Sequence, residues 1–329
     1  MIMKQDKGCV KVSIVMCTYN GERFLKEQLD SLLRQTVPFY ELIVQDDGST
    51  DATVSIIETY KHTNPNRKIL LYINKKQLGF SRNFLTAFQK ATGEYIACCD
   101  QDDVWMDDKL EVLLNAVGDN AMVFHNSLVV DEHLFPQHFF YQHPFFTHLK
   151  PLSVVVYPRA YGHQIMFRED VKARLASFVQ YNVSYDYLIN AVAGSISSVL
   201  YVHEPLVKWR RYAGAETYSN ATNRSPKWKG YVTALQALCT AENRRRTKEY
   251  FFLLSNLSFA DALAAKATKL LSTGHLKDIL LACMLCFKHF KQVQPVSPPT
   301  AIGKRMLFII RAFFLPLFFI RDHGRYIVK

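Results

Sequence analysis

The sequence predicts an α/β fold, with a mostly parallel central sheet between helices and a helical region after it. Two observations carry this. Short apolar runs alternate with helical patterns through the first hundred residues, the βαβαβαβ rhythm of a parallel sheet. From residue 226 onward the pattern is helical alone.

Residues 12–17, 41–45, 69–74 and 95–99 are apolar runs of strand length, as expected of strands buried on both faces. Between the first two, Phe24, Leu25, Leu29, Leu32 and Leu33 fall on one helical face. A second helix is predicted over 53–60, and a third follows Ser81 through Phe84, Leu85 and Phe88. A helix near 108–115 and a strand near 122–125 come next, then an aromatic, His-rich stretch at 135–161 suited to an acceptor-side loop. Helices over 171–178 and 188–193 and a strand at 205–208 follow. Asn, Thr, Ser and Pro cluster at 218–226. Two domains are therefore expected, an α/β domain at 10–218 and a helical region at 226–329 with breaks near 272–274 and 295–299.

With 49% hydrophobic and 21% charged residues, the chain is not of disordered composition. Its net charge of +11 calls for an acidic partner, and nucleic acid, anionic lipid and phosphorylated substrates all fit. Seven cysteines occur without CxxC spacing, which reads as buried thiols in a reducing compartment. Residues 1–11 lack the apolar centre of a signal peptide. The greasy stretch at 307–320 is broken by Arg311 and Pro316 and falls short of the roughly 20 residues that span a bilayer. A cytoplasmic protein is expected.

Ligands of parallel sheets bind beyond the carboxyl ends of the strands, where helix N-termini also point. Four such loops are rich in chemistry. Asp100-Gln101-Asp102-Asp103 ends a buried strand, where carboxylates are costly unless neutralised, and a divalent cation bridging a diphosphate would do this. An acidic turn capping the next helix gives the same pattern. Asp46-Asp47-Gly48-Ser49-Thr50-Asp51 offers acceptors for a base or ribose, with Asp47 expected to face the ligand and Asp51 to cap a helix. Thr18-Tyr19-Asn20-Gly21 can cradle a nucleotide, and Arg82, in Gly79-Phe80-Ser81-Arg82-Asn83, can reach its phosphates unless it is only a surface residue.

These four motifs in this order, with Val12-Ser13-Ile14-Val15-Met16-Cys17 ahead of them, resemble the family 2 glycosyltransferases. The resemblance covers residues 10–215 and implies a GT-A nucleotide-sugar-binding domain. It implies that Thr18, Tyr19, Asn20, Asp47, Arg82 and Asp100 line the donor site. Asp100 and Asp102 match the family's DxD signature, which implies Mn²⁺ or Mg²⁺ bound by these two acids, with Asp102 foremost as direct ligand. The Asp-Gln-Asp-Asp-Val-Trp form is similar to the rhamnosyltransferase-like branch. Asp186, in Tyr185-Asp186-Tyr187, stands where the family carries its acceptor-side base, with Glu169 and Asp170 as fallbacks. Arg210 or Arg211, beside Trp209, stands where relatives close over the diphosphate, and His163 stands in the acceptor pocket or is a core histidine. No Gln-x-x-Arg-Trp motif occurs, which points to single-sugar addition.

Beyond residue 226 the resemblance stops. Basic residues accompany Phe313, Phe314, Phe318 and Phe319, as in an interfacial helix on anionic lipid, where a lipid-linked glycan acceptor would lie. A helical bundle with these rings in its core is the competing expectation. A non-catalytic nucleotide-sugar binder and a nucleic-acid-binding protein are the other classes. The first is opposed by the intact carboxylates, and the second by the lack of any zinc-finger, RNA-recognition or Walker motif.

Overall fold

The computed structural model describes residues 10–142, 147–213 and 227–323. The predicted alternation is present as β1 (Val12–Thr18), α1 (Glu22–Leu33), β2 (Glu41–Asp46), α2 (Thr53–Thr63), β3 (Ile69–Ile73), α3 (Phe80–Phe88) and β4 (Tyr95–Cys99). Next come β5 (Val104–Trp105), α4 (Lys109–Val117), β6 (Met122–Val130), β7 (Pro136–Phe139), β8 (His148–Leu149) and α5 (Pro151–Val156). They are followed by β9 (Ile165–Arg168), α6 (Glu169–Leu175), α7 (Tyr185–Ile196) and β10 (Val199–Arg210). The helical region holds α8 (Lys227–Cys239), α9 (Ala241–Leu254), α10 (Ala262–Leu271), α11 (Leu276–Lys288), α12 (Phe290–Val293) and α13 (Ile302–His323).

Two compact units share the chain. The first comprises residues 1–142, 161–180 and 202–216, and the second 143–160, 181–201 and 217–329. The second thus takes in two stretches that the sequence alone puts with the α/β domain, while the linker expected at 218–226 lies outside the described residues. In α7 nearly every residue is buried, and a helix apolar on all sides does not announce what it packs against.

The sheet runs β3-β2-β1-β4-β9-β6-β10-β5. Strands β3, β2, β1 and β4 are mutually parallel, whereas β9 pairs antiparallel with both β4 and β6. Ile14, Val15, Met16, Ile43, Val44 and the stretch from Ile96 to Cys99 are fully buried between the helices, which accounts for their unbroken apolar runs. Glu41 is a charged exception. Its carboxylate accepts from Lys68 Nζ (2.6 Å), Ser13 Oγ (2.7 Å) and the Thr92 backbone N–H (2.7 Å), which satisfies a group otherwise costly to bury.

In the second unit the C-terminal rings turn inward. Phe319 is buried against Tyr250 and Phe251, and Tyr231 meets Phe314 and Phe318 edge-on. Phe319 thus sits in a core, while Phe313, Phe314 and Phe318 are half-buried. Pro316 sits inside α13, and no helix among the described residues is long and apolar enough to cross a membrane.

Candidate active site

Four loops at the carboxyl ends of β1 to β4 are tied to one another by side-chain hydrogen bonds. The Asn20 backbone N–H donates to Ser49 Oγ (2.9 Å), and Asn20 Oδ1 accepts from the Thr50 N–H (2.9 Å). Asn20 has a φ of 45°, a left-handed conformation that Asn tolerates better than most residues. Gln101 embraces Tyr19 on both sides, accepting from its N–H at 2.9 Å and donating to its carbonyl at 3.1 Å. The Asp47 carboxylate, buried, accepts from the N–H groups of Leu78 (2.7 Å) and Gly79 (2.8 Å) and from Asn74 Nδ2 (2.7 Å). Asp46 accepts from Thr18 Oγ1 (2.8 Å) and from the Gly48 and Ser49 N–H groups.

The structure therefore spends Thr18 and Asp47 on shaping the loops. Tyr19 and Arg82 are exposed at this rim. Asp51 accepts from the Glu22 and Thr53 N–H groups, as a helix-start acid should.

At the end of β4, the acids take three different environments. Asp100 is half-buried, with Oδ2 3.9 Å from His163 Nδ1. The Asp102 carboxylate accepts from the Tyr212 hydroxyl (2.9 Å), and burial holds its pKa above the ordinary carboxylate value. Asp103 is almost wholly buried: Oδ1 accepts from the Arg210 N–H (2.9 Å), and Oδ2 has no hydrogen-bond partner among the described residues. Burial pushes the Asp103 carboxyl well up, and the charges of Asp102 and Asp100 push the same way.

Asp100, Asp103 and His163 each offer one ligand atom, all within 4.8 Å of one another. His163 Nε2 pairs with Ser127 Oγ (2.9 Å), the outer hydrogen bond that orients a ligating imidazole, and burial keeps the ring neutral. Two carboxylates, one with an orphaned buried oxygen, and a neutral imidazole fit a divalent cation, with the nitrogen suiting Mn²⁺ better than Mg²⁺. The sequence expectation named Asp102 and Asp100 as ligands, Asp102 foremost. Asp100 belongs to this group, while the Asp102 carboxylate lies outside it and accepts from Tyr212.

Residues 13–175 match the profile described as Glycosyl transferase family 2. The chain belongs to this family. An uncharacterized protein of Mycobacterium tuberculosis is 29% identical over 254 residues, which is 72% of this chain and 70% of its own length. The UDP-Glc:alpha-D-GlcNAc-diphosphoundecaprenol beta-1,3-glucosyltransferase of Escherichia coli is 32% identical over 134 residues, 38% of this chain and 51% of its own. The solved structure of Staphylococcus aureus TarS 1–349 in complex with UDP-GlcNAc is similar in fold. Its TM-score is 0.54 at 15% identity, over 96% of this chain and 92% of that one. The GT-A fold expected of a family 2 glycosyltransferase is the fold observed.

Within this glycosyltransferase, the two arginines expected at the diphosphate differ in placement. Arg210 is 2% exposed. Its guanidinium donates to the carbonyls of Asp102 (2.8 Å) and Glu132 (2.5 Å), pairs with Glu27 and lies over the Phe24 ring. Arg211 is half-buried and lies over the Trp209 ring (4.6 Å), and Trp209 stacks on His163 (4.9 Å). In the second unit, Asp186 occupies the first turn of α7 and accepts from Ser184 Oγ (2.6 Å) and the Tyr187 N–H (2.9 Å). Burial raises its pKa. Asp170 is paired with Arg168 (2.5 Å), and Glu169 with Lys172 (3.4 Å).

Sequence reasoning gave no role to Gln101, Lys109 or Tyr212. Lys109 is buried, donates to the His163 carbonyl (2.9 Å), lies 3.6 Å over the Trp105 ring, and is pushed down to about 7 by burial. Only Gln101 carried a signal, by standing between the two signature aspartates.

Proposed function

We propose that this protein is an inverting, metal-dependent glycosyltransferase. It moves a single sugar from a nucleoside-diphosphate donor to a lipid-linked glycan at the inner face of a membrane. The observation that carries the reading is the joining of four strand-end loops around Asp100 in a family 2 domain. The E. coli relative, whose name specifies a diphosphoundecaprenol-linked acceptor, supports the acceptor class. The complex of TarS with UDP-GlcNAc supports the donor class.

In the proposed reaction the acceptor hydroxyl oxygen attacks the anomeric carbon. The bond from that carbon to the diphosphate breaks, and the proton passes to the Asp186 carboxylate. One displacement inverts the configuration. A carboxyl whose pKa is raised by burial is a stronger base for that proton. Asp100, common to the signature and to the acid–imidazole group, would hold the cation with Asp103 and His163. A divalent ion there supplies counter-charge for the leaving diphosphate. Tyr19 and Arg82 face the base and phosphates, Arg211 closes over the diphosphate, and Arg210 fixes the Asp102–Asp103 backbone.

The test is donor hydrolysis and transfer across a panel of nucleotide sugars with Mn²⁺ or Mg²⁺ and a lipid-linked glycan extract. dTDP-rhamnose heads the panel because of the Asp-Gln-Asp-Asp-Val-Trp form, and UDP-hexoses follow. Metal-dependent turnover is expected, abolished in Asp100→Asn and lowered about 10²–10⁴-fold in Asp186→Asn. Asp103→Asn should weaken metal dependence more than Asp102→Asn. A wild type that neither turns over nor binds nucleotide with metal would overturn the proposal.

A further inference from the structure

Helix α11 has two faces. Ile279, Ala282, Cys283, Leu285 and Cys286 are buried, whereas Leu276, Leu280, Leu281, Met284 and Phe287 are each 39–52% exposed. The start of α13 repeats this, with Ile302, Met306, Leu307 and Ile310 exposed. The two helices pack together in the second unit. Phe290 of α12 meets the Phe308 ring edge-on (6.3 Å), and Gln294 Nε2 donates to the Phe308 carbonyl (2.9 Å). The beginning of α13 is thereby held beside the end of α11. Apolar side chains clustered this way, unlike singly scattered ones, mark a surface that something covers.

Charge decides what covers it. Between residues 262 and 320 there are eight Lys or Arg (Lys266, Lys269, Lys277, Lys288, Lys291, Lys304, Arg305, Arg311) and one acid, Asp278. Asp278 accepts from Thr273 Oγ1 (2.8 Å), while Lys277, Lys288, Lys291, Lys304 and Arg305 are exposed. A second copy of so basic a face would be repelled. A bilayer carrying anionic headgroups matches both features, since apolar side chains enter the acyl boundary and lysines meet the phosphates.

We propose that the exposed face of α11 and the first turns of α13 dock this protein on an anionic phospholipid bilayer. This deepens the membrane-side reading above and rests on it. It assigns the contact to different residues from the inward-packed Phe314, Phe318 and Phe319.

The full chain is sedimented with phosphatidylcholine vesicles with and without phosphatidylglycerol. Two variants are run beside it, Leu280→Asp/Met284→Asp and Lys288→Glu/Lys291→Glu. Their melting curves and vesicle-free donor hydrolysis are recorded as controls. The wild type should bind the anionic vesicles only, and less as salt rises. The charge variant should bind at least about 25-fold more weakly, from roughly fivefold per lysine removed, and the apolar variant should not bind. Binding by both variants at wild-type strength overturns the proposal. So does a wild type that ignores anionic vesicles, or a dimer that Met284→Asp dissolves. Intact hydrolysis without vesicle binding rejects the docking face alone. Vesicle binding without hydrolysis supports the face and rejects the transferase reading.

Discussion

Replacing Arg210 by Met separates two roles for one side chain, a phosphate ligand or a structural tie. Methionine keeps the apolar stem over the Phe24 ring but removes the guanidinium. The carbonyls of Asp102 and Glu132 lose their donors, and Glu27 loses its partner. Each orphaned carbonyl costs about 1–3 kcal/mol, and the lost cation–ring contact about 1 kcal/mol. Glu27 has 52% of its side chain in water, so its share of the pair is below about 1 kcal/mol. The loss is therefore on the order of 3–8 kcal/mol. For a unit of this size that lowers the melting temperature by at least about 6 °C. Thermal unfolding followed by far-UV circular dichroism reads it directly, and nucleoside-diphosphate affinity is measured beside it. A shift below about 2 °C with affinity reduced more than tenfold would refute the reasoning and put the guanidinium on the phosphate.

Gln101→Ala removes both bonds that hold the Tyr19 backbone, and nucleotide affinity should fall about tenfold with little change in stability, as calorimetric titration would report. Gly79 has a φ of 78°, so Gly79→Ala strains the turn by about 1–3 kcal/mol and loosens the N–H held by Asp47, a loss that denaturant unfolding would reveal. Burial alone would raise the Glu41 pKa, but hydrogen bonds from Lys68, Ser13 and Thr92 outweigh it and hold the value below that of an ordinary glutamate. The unfolded chain then binds the extra proton first, so this stability is complete above roughly pH 5 and fades as pH falls through the folded value. Glu41→Gln should be less stable at pH 7 and show a shallower acid limb in urea midpoints from pH 7 to 3.

The parallel half of the sheet was legible because buried strands leave unbroken apolar runs, and Val12 to Thr18 or Tyr95 to Cys99 read as little else. The site loops were legible because topology puts them at strand ends. What each side chain does there was not. Asp47 reads as a ligand acceptor, and its hold on the neighbouring loop through Leu78 and Gly79 left no mark in the sequence. Gln101 finds Tyr19 across 82 residues, and Arg210 finds Glu27 across 183, distances over which no local pattern carries information. In the tail the composition was legible and the packing of each face was not. A Phe-rich helix interrupted by Pro316 reads as interfacial, yet its rings meet Tyr231, Tyr250 and Phe251 from segments far upstream. Apolar positions left outside include those of α11, where they alternate with buried ones and resemble an ordinary core helix, and those at the start of α13.

Strand β10 lies between β6 and β5, and its last residue pins Asp103 across 107 residues of chain. On the ribosome this imposes an order in time. At roughly 5–20 residues per second, the acids emerge about 5–20 s before the strand that shapes them. Until then β6 is a bare sheet edge, open to pairing with other nascent chains. A half-made polypeptide already carrying every signature acid is therefore an aggregation hazard before it is a catalyst.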